Sequence, residues 1–177
     1  MRILKNISEV TETPIAEIEI AEDGCGALVH GIPLRNFAHG LAKIATGIGL
    51  EPRRADICKK IMRACILNPQ MVAGTGKFCT LLMAASKGRI FAKSGAQGIY
   101  AVADMDSGIS IISKTEDGNS EVNNAVVLEA IRQVGIADKE LLKNLTSFTI
   151  LKILIVIKLV LDIPSWCLSC KSKAKAS

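Results

Sequence analysis

The sequence predicts an α+β domain in which a mixed or antiparallel sheet packs against helices. Three observations carry this. Two long segments after Pro33 repeat apolar residues at helical spacing. Three short apolar runs, "RIFAKSG", "GIYAVAD" and "GISIISKTED", follow one another across Gly-containing turns, in hairpin order. A capped amphipathic segment then closes the pattern. Helices followed by consecutive strands fit an α+β layer arrangement and not a doubly wound parallel fold.

Each element has its own signal. Ile3, Leu4, Ile7 and Val10 lie on one face of an N-terminal helix. "IAEIEI" (residues 15–20) alternates apolar and acidic residues, as a half-buried strand does. "EDGCGA" is a turn, because Asp-Gly followed by a second Gly supplies positive φ angles. Leu34, Phe37, Ala38, Leu41, Ile44, Ala45 and Ile48 form the stripe of one helix. Pro52 opens another, through about Leu67, with Ile57, Ile61, Met62 and Cys65 inward. "NPQMVAGTG" reads as a loop, and "FCTLLMAAS" as a short buried helix leaving it. After the three strands, Asn119 or Ser120 caps a helix that Gly135 ends at its C′ position. "FTILKILIVIKLVL" (148–161) is interrupted by Lys152 and Lys158 and is too short for a membrane span; it reads as a β-type tail.

Composition bounds the function. The 177 residues are 49% hydrophobic and 22% charged, which suits one domain with a sizeable core and excludes a disordered chain. Net charge is +5, and Lys171, Lys173 and Lys175 supply three of those charges in a tail without acidic residues. No aromatic platform accompanies that tail, so neither nucleic acid nor membrane is expected as a partner. Nothing in "MRILKNISEVTET" reads as a signal peptide, and the expected location is cytoplasmic, with six free thiols. No G-x-G-x-x-G or Walker pattern supports nucleotide binding.

Few residues suggest chemistry by spacing alone. Cys167 and Cys170 form a single C-x-x-C, half of what a structural zinc needs. Cys58 and Cys65 read as core thiols. Cys79 follows a glycine-rich turn and starts a helix, where a thiolate is favoured, although a buried core cysteine has the same pattern. Lys93 is either a base desolvated by a sheet face or a solvent-facing residue of an alternating strand. Asp23 and Asp117 are polar site candidates and equally turn formers. His30 and His39 do not share a helical face and read as surface or polar-core residues.

Five stretches in series carry more than any one of them. They are "DGCGA", "PLRNFAHGLAKIA", "NPQMVAGTGKFCTLLM", "AKSGAQGIYAVA" and "GISIISKTEDGNSEVNNAVVLEAI" followed by "GI". In this order and spacing, from about Arg2 to Leu145, the chain resembles the C-terminal portion of the Rhizobium etli-type L-asparaginase family, the thermolabile serine–lysine amidohydrolases. The resemblance implies a fold related to serine β-lactamases and penicillin-binding proteins. It also implies L-asparagine as substrate, hydrolysed to aspartate and ammonia, and zinc as cofactor. By local match Lys93 takes the place of a catalytic lysine and Cys79 that of a zinc cysteine. Asp23 and Cys25 match a turn beside the substrate site.

The chain also departs from the pattern. The family's Ser-x-x-Lys nucleophile, its second serine and its Cys-x-x-Lys zinc pair lie upstream of "DGCG", ahead of Met1. Thr75 stands where a relative has an acidic residue, and Leu28 replaces a usual proline. Residues 1–147 are therefore expected to form an asparaginase-like domain portion, and 148–177 an atypical apolar, then basic tail. The expected chemistry is amide hydrolysis impaired by the missing nucleophile. The alternative is a non-catalytic remnant that at most self-associates as a homodimer.

Overall fold

The computed structural model describes residues 2–148. Among them helices flank a three-stranded antiparallel sheet, and a separate two-stranded hairpin stands apart from it. The α+β class and the antiparallel sheet are as the sequence predicts. The segment expected as a tail strand, and Cys167 and Cys170, lie outside the described residues, apart from Phe148.

The N-terminal helix α1 (Arg2–Thr11) forms as expected. The strand expected at 15–20 does not. Pro14 holds φ at −53° and leads into a 3-10 turn at Ile15–Glu17, in which the Glu17 amide donates to the Pro14 carbonyl at 2.9 Å. Strand β1 is displaced to Glu19–Glu22, and all four of its residues are exposed, so half-burial is corrected too. It pairs with β2 (Leu28–Gly31), which the sequence reading did not anticipate. The turn between them is as expected: Gly26 takes φ +78°, and its amide donates to the Asp23 carbonyl at 3.0 Å.

Helix α2 (Leu34–Thr46) ends at Gly47, whose φ of +78° lets its amide reach the Lys43 carbonyl at 2.7 Å. A Cβ at Gly47 would meet the Ala55 Cβ at 2.9 Å, so glycine also permits close approach of the next helix. That helix, α3 (Pro52–Leu67), starts under the Glu51 side chain, which accepts from the Arg53 and Arg54 amides. Its inward stripe differs from expectation. Ala55, Met62 and Ile66 are buried, whereas Ile57 and Ile61 are 48% and 57% exposed. The stripe of α3 is rotated towards the sheet, which leaves Cys58 and Cys65 half-buried on its flanks, not in the core.

The expected loop at 68–76 contains a short helix, α4 (Pro69–Ala73). Pro69 sits at its first position, where its missing N–H costs nothing; a proline begins a helix as readily as it ends one. The Thr80 hydroxyl donates to the Gly74 carbonyl at 2.6 Å and ties α4 to α5 (Phe78–Ala85). Strands β3 (Ile90–Ser94), β4 (Ile99–Asp104) and β5 (Ser110–Lys114) then pair antiparallel in chain order, with Ser94 opposite Tyr100 and Lys93 opposite Ala101.

Alternation along these strands sends side chains to two covered faces. Ile90, Ala92, Tyr100, Val102 and Ile111 join Leu82, Met83, Val127 and Ile131 in the larger core. Ala101 and Ala103 face Leu41, Ala45 and Met62 in a smaller one. Helix α6 (Ser120–Gln133) is capped by the Asn119 side chain, which accepts from the Glu121 and Val122 amides, and Gly135 at φ +76° follows its end. Asn123, buried on α6, donates to the Gly98 carbonyl and accepts from the Ser113 hydroxyl, locking the helix onto the sheet. A further short helix, α7 (Lys139–Asn144), was not expected; it buries Leu141.

Candidate functional site

Cys79 lies in the first turn of α5 and is 2% exposed. Its sulfur accepts the Ser94 amide at 3.2 Å, a contact that joins the helix start to the end of β3. Tyr100, opposite Ser94 on β4, is equally buried, and its ring meets Phe78 at 5.5 Å. Burial first, and the Cys79 sulfur beside it second, raise the proton affinity of the Tyr100 phenol well above its ordinary value. Its hydroxyl has no hydrogen-bond partner.

A cavity of about 770 Å³ opens over this group. Residues 76–79, Ser94 and Gly95, Tyr100, residues 119–122 and Phe148 bound it. Its size lies within the range of roughly 300–1,000 Å³ usual for small-molecule sites. Two helix starts reach its wall, and they differ. The start of α6 has its amides occupied by Asn119, whereas no side chain caps α5. Sequence reasoning did not single out Tyr100, Lys77 or Glu121. The one signal for Tyr100 was an aromatic hydroxyl inside an apolar strand, and a buried hydroxyl needs a partner.

Lys93 precedes Ser94 but is not part of that wall. Strand alternation puts it on the opposite face of the sheet, beside Phe91 and across from Ala101. It is solvent-exposed, and its ammonium donates to the Ser94 carbonyl. Of the two positions the sequence left open, the solvent-facing one is found.

Asp23 and Cys25 form a third locale, exposed in the hairpin turn. Asp23 Oδ1 accepts from the Cys25 thiol at 2.9 Å, the Cys25 amide at 2.9 Å and the Ala27 amide at 3.0 Å. The Cys25 thiol, then the two amides, hold the Asp23 carboxyl below the ordinary carboxylate range. Asp117 is the turn former expected, accepting the Asn119 amide at 2.9 Å. His39 is half-buried against Glu12, 3.3 Å from its carboxylate.

The sites thus divide into a buried Cys79–Tyr100 cavity, an exposed lysine behind it and an exposed Asp23–Cys25 turn. Among the described residues no three His, Cys, Asp or Glu side chains come together as a metal-binding group. A single thiolate does not satisfy zinc, which takes four ligands, so these residues by themselves do not fit the ion. No helix among them is long and apolar enough to cross a membrane.

Comparison with known proteins adds one positive finding. No curated protein matches the chain. The family model of L-asparaginase II matches residues 1–158, a span that takes in all three locales. The chain belongs to the L-asparaginase II family.

Proposed function

We propose that this chain carries asparaginase-type amidohydrolase chemistry, the hydrolysis of the L-asparagine side-chain amide to L-aspartate and ammonia. The family match over residues 1–158 is the observation that carries this reading. Lys93 is assigned proton transfer at the end of β3; its side chain stands outside the cavity, whose wall Ser94 and Gly95 form in part, and must reach round the strand end to act there. Asp23 and Cys25 are assigned to substrate contacts at the hairpin turn. Cys79 would hold zinc only together with ligands beyond the described residues, and no step is routed through the ion. The β-lactamase-like ancestry of the fold belongs to the same reading.

One observation favours a second reading, a non-catalytic chain that self-associates. Lys93 is exposed, on the sheet face opposite Cys79, and no Ser-x-x-Lys occurs among the described residues. Ile57, Ile61 and Leu67, all exposed on α3, support self-association as a homodimer. Ammonia release from L-asparagine by the purified chain, with and without zinc, separates the two. The expected outcome is weak release that Lys93→Ala lowers by about a hundredfold or more, the usual contribution of a positioned proton-transfer group. Release unchanged by Lys93→Ala overturns the role of Lys93, and no release at all establishes the non-catalytic reading.

A further inference from the structure

The head of α5 combines two features that neither family membership nor the roles above explain. The first is an uncapped helix start whose residues 76–79 line the cavity. Unpaired first-turn amides and the helix dipole together favour a negative group there. The second is Tyr100, which lines the same cavity, is 2% exposed and has a hydroxyl without a partner. A buried donor left unpaired costs free energy unless something outside the protein accepts from it. The Cys79 sulfur lies beside the hydroxyl, but its hydrogen bond is with the Ser94 amide, and the hydroxyl itself makes none.

Charge narrows what that ligand is. Lys77 and Glu121, both exposed, lie on the wall of the cavity at the starts of α5 and α6. A ligand that is wholly anionic meets Glu121 as a like charge, whereas a zwitterion has a partner for each end. The neighbouring helix start offers no competing anion site, because Asn119 already occupies the Glu121 and Val122 amides.

We propose that the head of α5 is the carboxylate-binding site for an α-amino acid. The carboxylate accepts from the Tyr100 hydroxyl and the first-turn amides of α5 beside Lys77, and the ammonium group faces Glu121. This rests on the amidohydrolase reading for the identity of the amino acid and adds the residues that hold it. Tyr100 and Glu121 are positioning residues in this scheme, not catalytic ones.

Calorimetric titration of the full 177-residue chain with L-aspartate, the product, and with succinate, which lacks the ammonium group, tests it. Tyr100→Phe removes only the hydroxyl and keeps the ring contact with Phe78. It is expected to weaken L-aspartate binding by about tenfold to a hundredfold, the usual worth of a hydrogen bond to a charged group, with no fall in melting temperature. Glu121→Gln is expected to weaken L-aspartate and leave succinate unchanged. L-aspartate that does not bind at millimolar concentration, or that binds Tyr100→Phe as tightly as the parent, overturns the site. Ammonia release with an unchanged KM in Tyr100→Phe also overturns it and leaves the amidohydrolase reading intact. Tyr100-dependent binding of L-aspartate by a chain that releases no ammonia does the reverse: it upholds the site and overturns hydrolysis.

Discussion

The two sheets use the same antiparallel pairing and have opposite surroundings. The β1–β2 hairpin is exposed along nearly its whole length, with Leu28 64% open to solvent. The β3–β4–β5 sheet is covered on both faces, and Ile90, Ala92, Val102 and Ala103 have no measurable exposure. Strand pairing therefore does not distinguish them; coverage by helices does. A two-stranded ribbon is marginal by itself, and three strands packed on helices are not. The candidate residues divide along the same line. Asp23 and Cys25 ride on the exposed ribbon, and Cys79 and Tyr100 are sealed against the covered sheet.

The largest test of this contrast is core truncation. Ile90→Ala is expected to cost about 2–5 kcal/mol, the range for a buried Ile or Leu cut to Ala. Leu28→Ala, on the open hairpin, is expected to stay within about 0.5 kcal/mol of the parent, as surface substitutions do. Urea unfolding measures both, and equal costs would break the comparison.

The turns of the two sheets give a smaller contrast. Gly98 has φ +69°, and a Cβ there would lie 1.9 Å from Thr115 Oγ1 and 2.9 Å from the Gly118 carbonyl carbon. Gly26 has φ +78° and only Glu22 Oε1 nearby, at 3.5 Å. Gly26→Ala should cost about 1–2 kcal/mol, the strain of a left-handed residue with a side chain. Gly98→Ala adds overpacking of about 1–3 kcal/mol, because backbone must move. A thermal-denaturation series that ranks Gly26→Ala as the worse of the two would contradict this account.

The smallest effect is local and set by pH. The folded Asp23 carboxyl is held below its ordinary range, so its contribution is present above the unfolded value of about 3.9 and is lost as pH falls through the folded one. Acidification should loosen the hairpin turn while the covered sheet stays paired. Amide resonances of Cys25 and Ala27 should shift in this range before those of Ala92 and Val102. Simultaneous change in both sets would show that the hairpin has no independent acid response.

The covered sheet was legible because its signal is local. Apolar runs broken by Gly-containing turns specify short strands wherever they sit, and Asn119 and Gly135 mark the ends of α6 through bonds within a few residues. The errors arose where one residue has two uses. Pro14 turned an alternating run into a 3-10 turn, and Pro69 began a helix inside an apparent loop. Ile57 and Ile61 fit a helical stripe, but which flank of α3 meets the sheet is not written in the helix itself. The candidate site was legible only in part. The motifs marked Cys79, Lys93 and the Asp23–Cys25 turn, and they could not say which sheet face each would occupy.

By itself the sequence determined the fold class, the hairpin order of the central strands and, through five motifs in series, the kinship with asparaginases. Only the tertiary structure decided that Cys79 and Lys93, fourteen residues apart, end on opposite faces of one sheet. Only it brought Tyr100 and the uncapped head of α5 together around a cavity. The physical reason is range. Caps, turns and strand periodicity are settled by neighbours within a few residues, whereas burial, pocket shape and an unpaired hydroxyl depend on which distant segments close over them. The Ser94 amide bound to the Cys79 sulfur and the Asn123 amide bound to the Gly98 carbonyl join residues 15 and 25 positions apart.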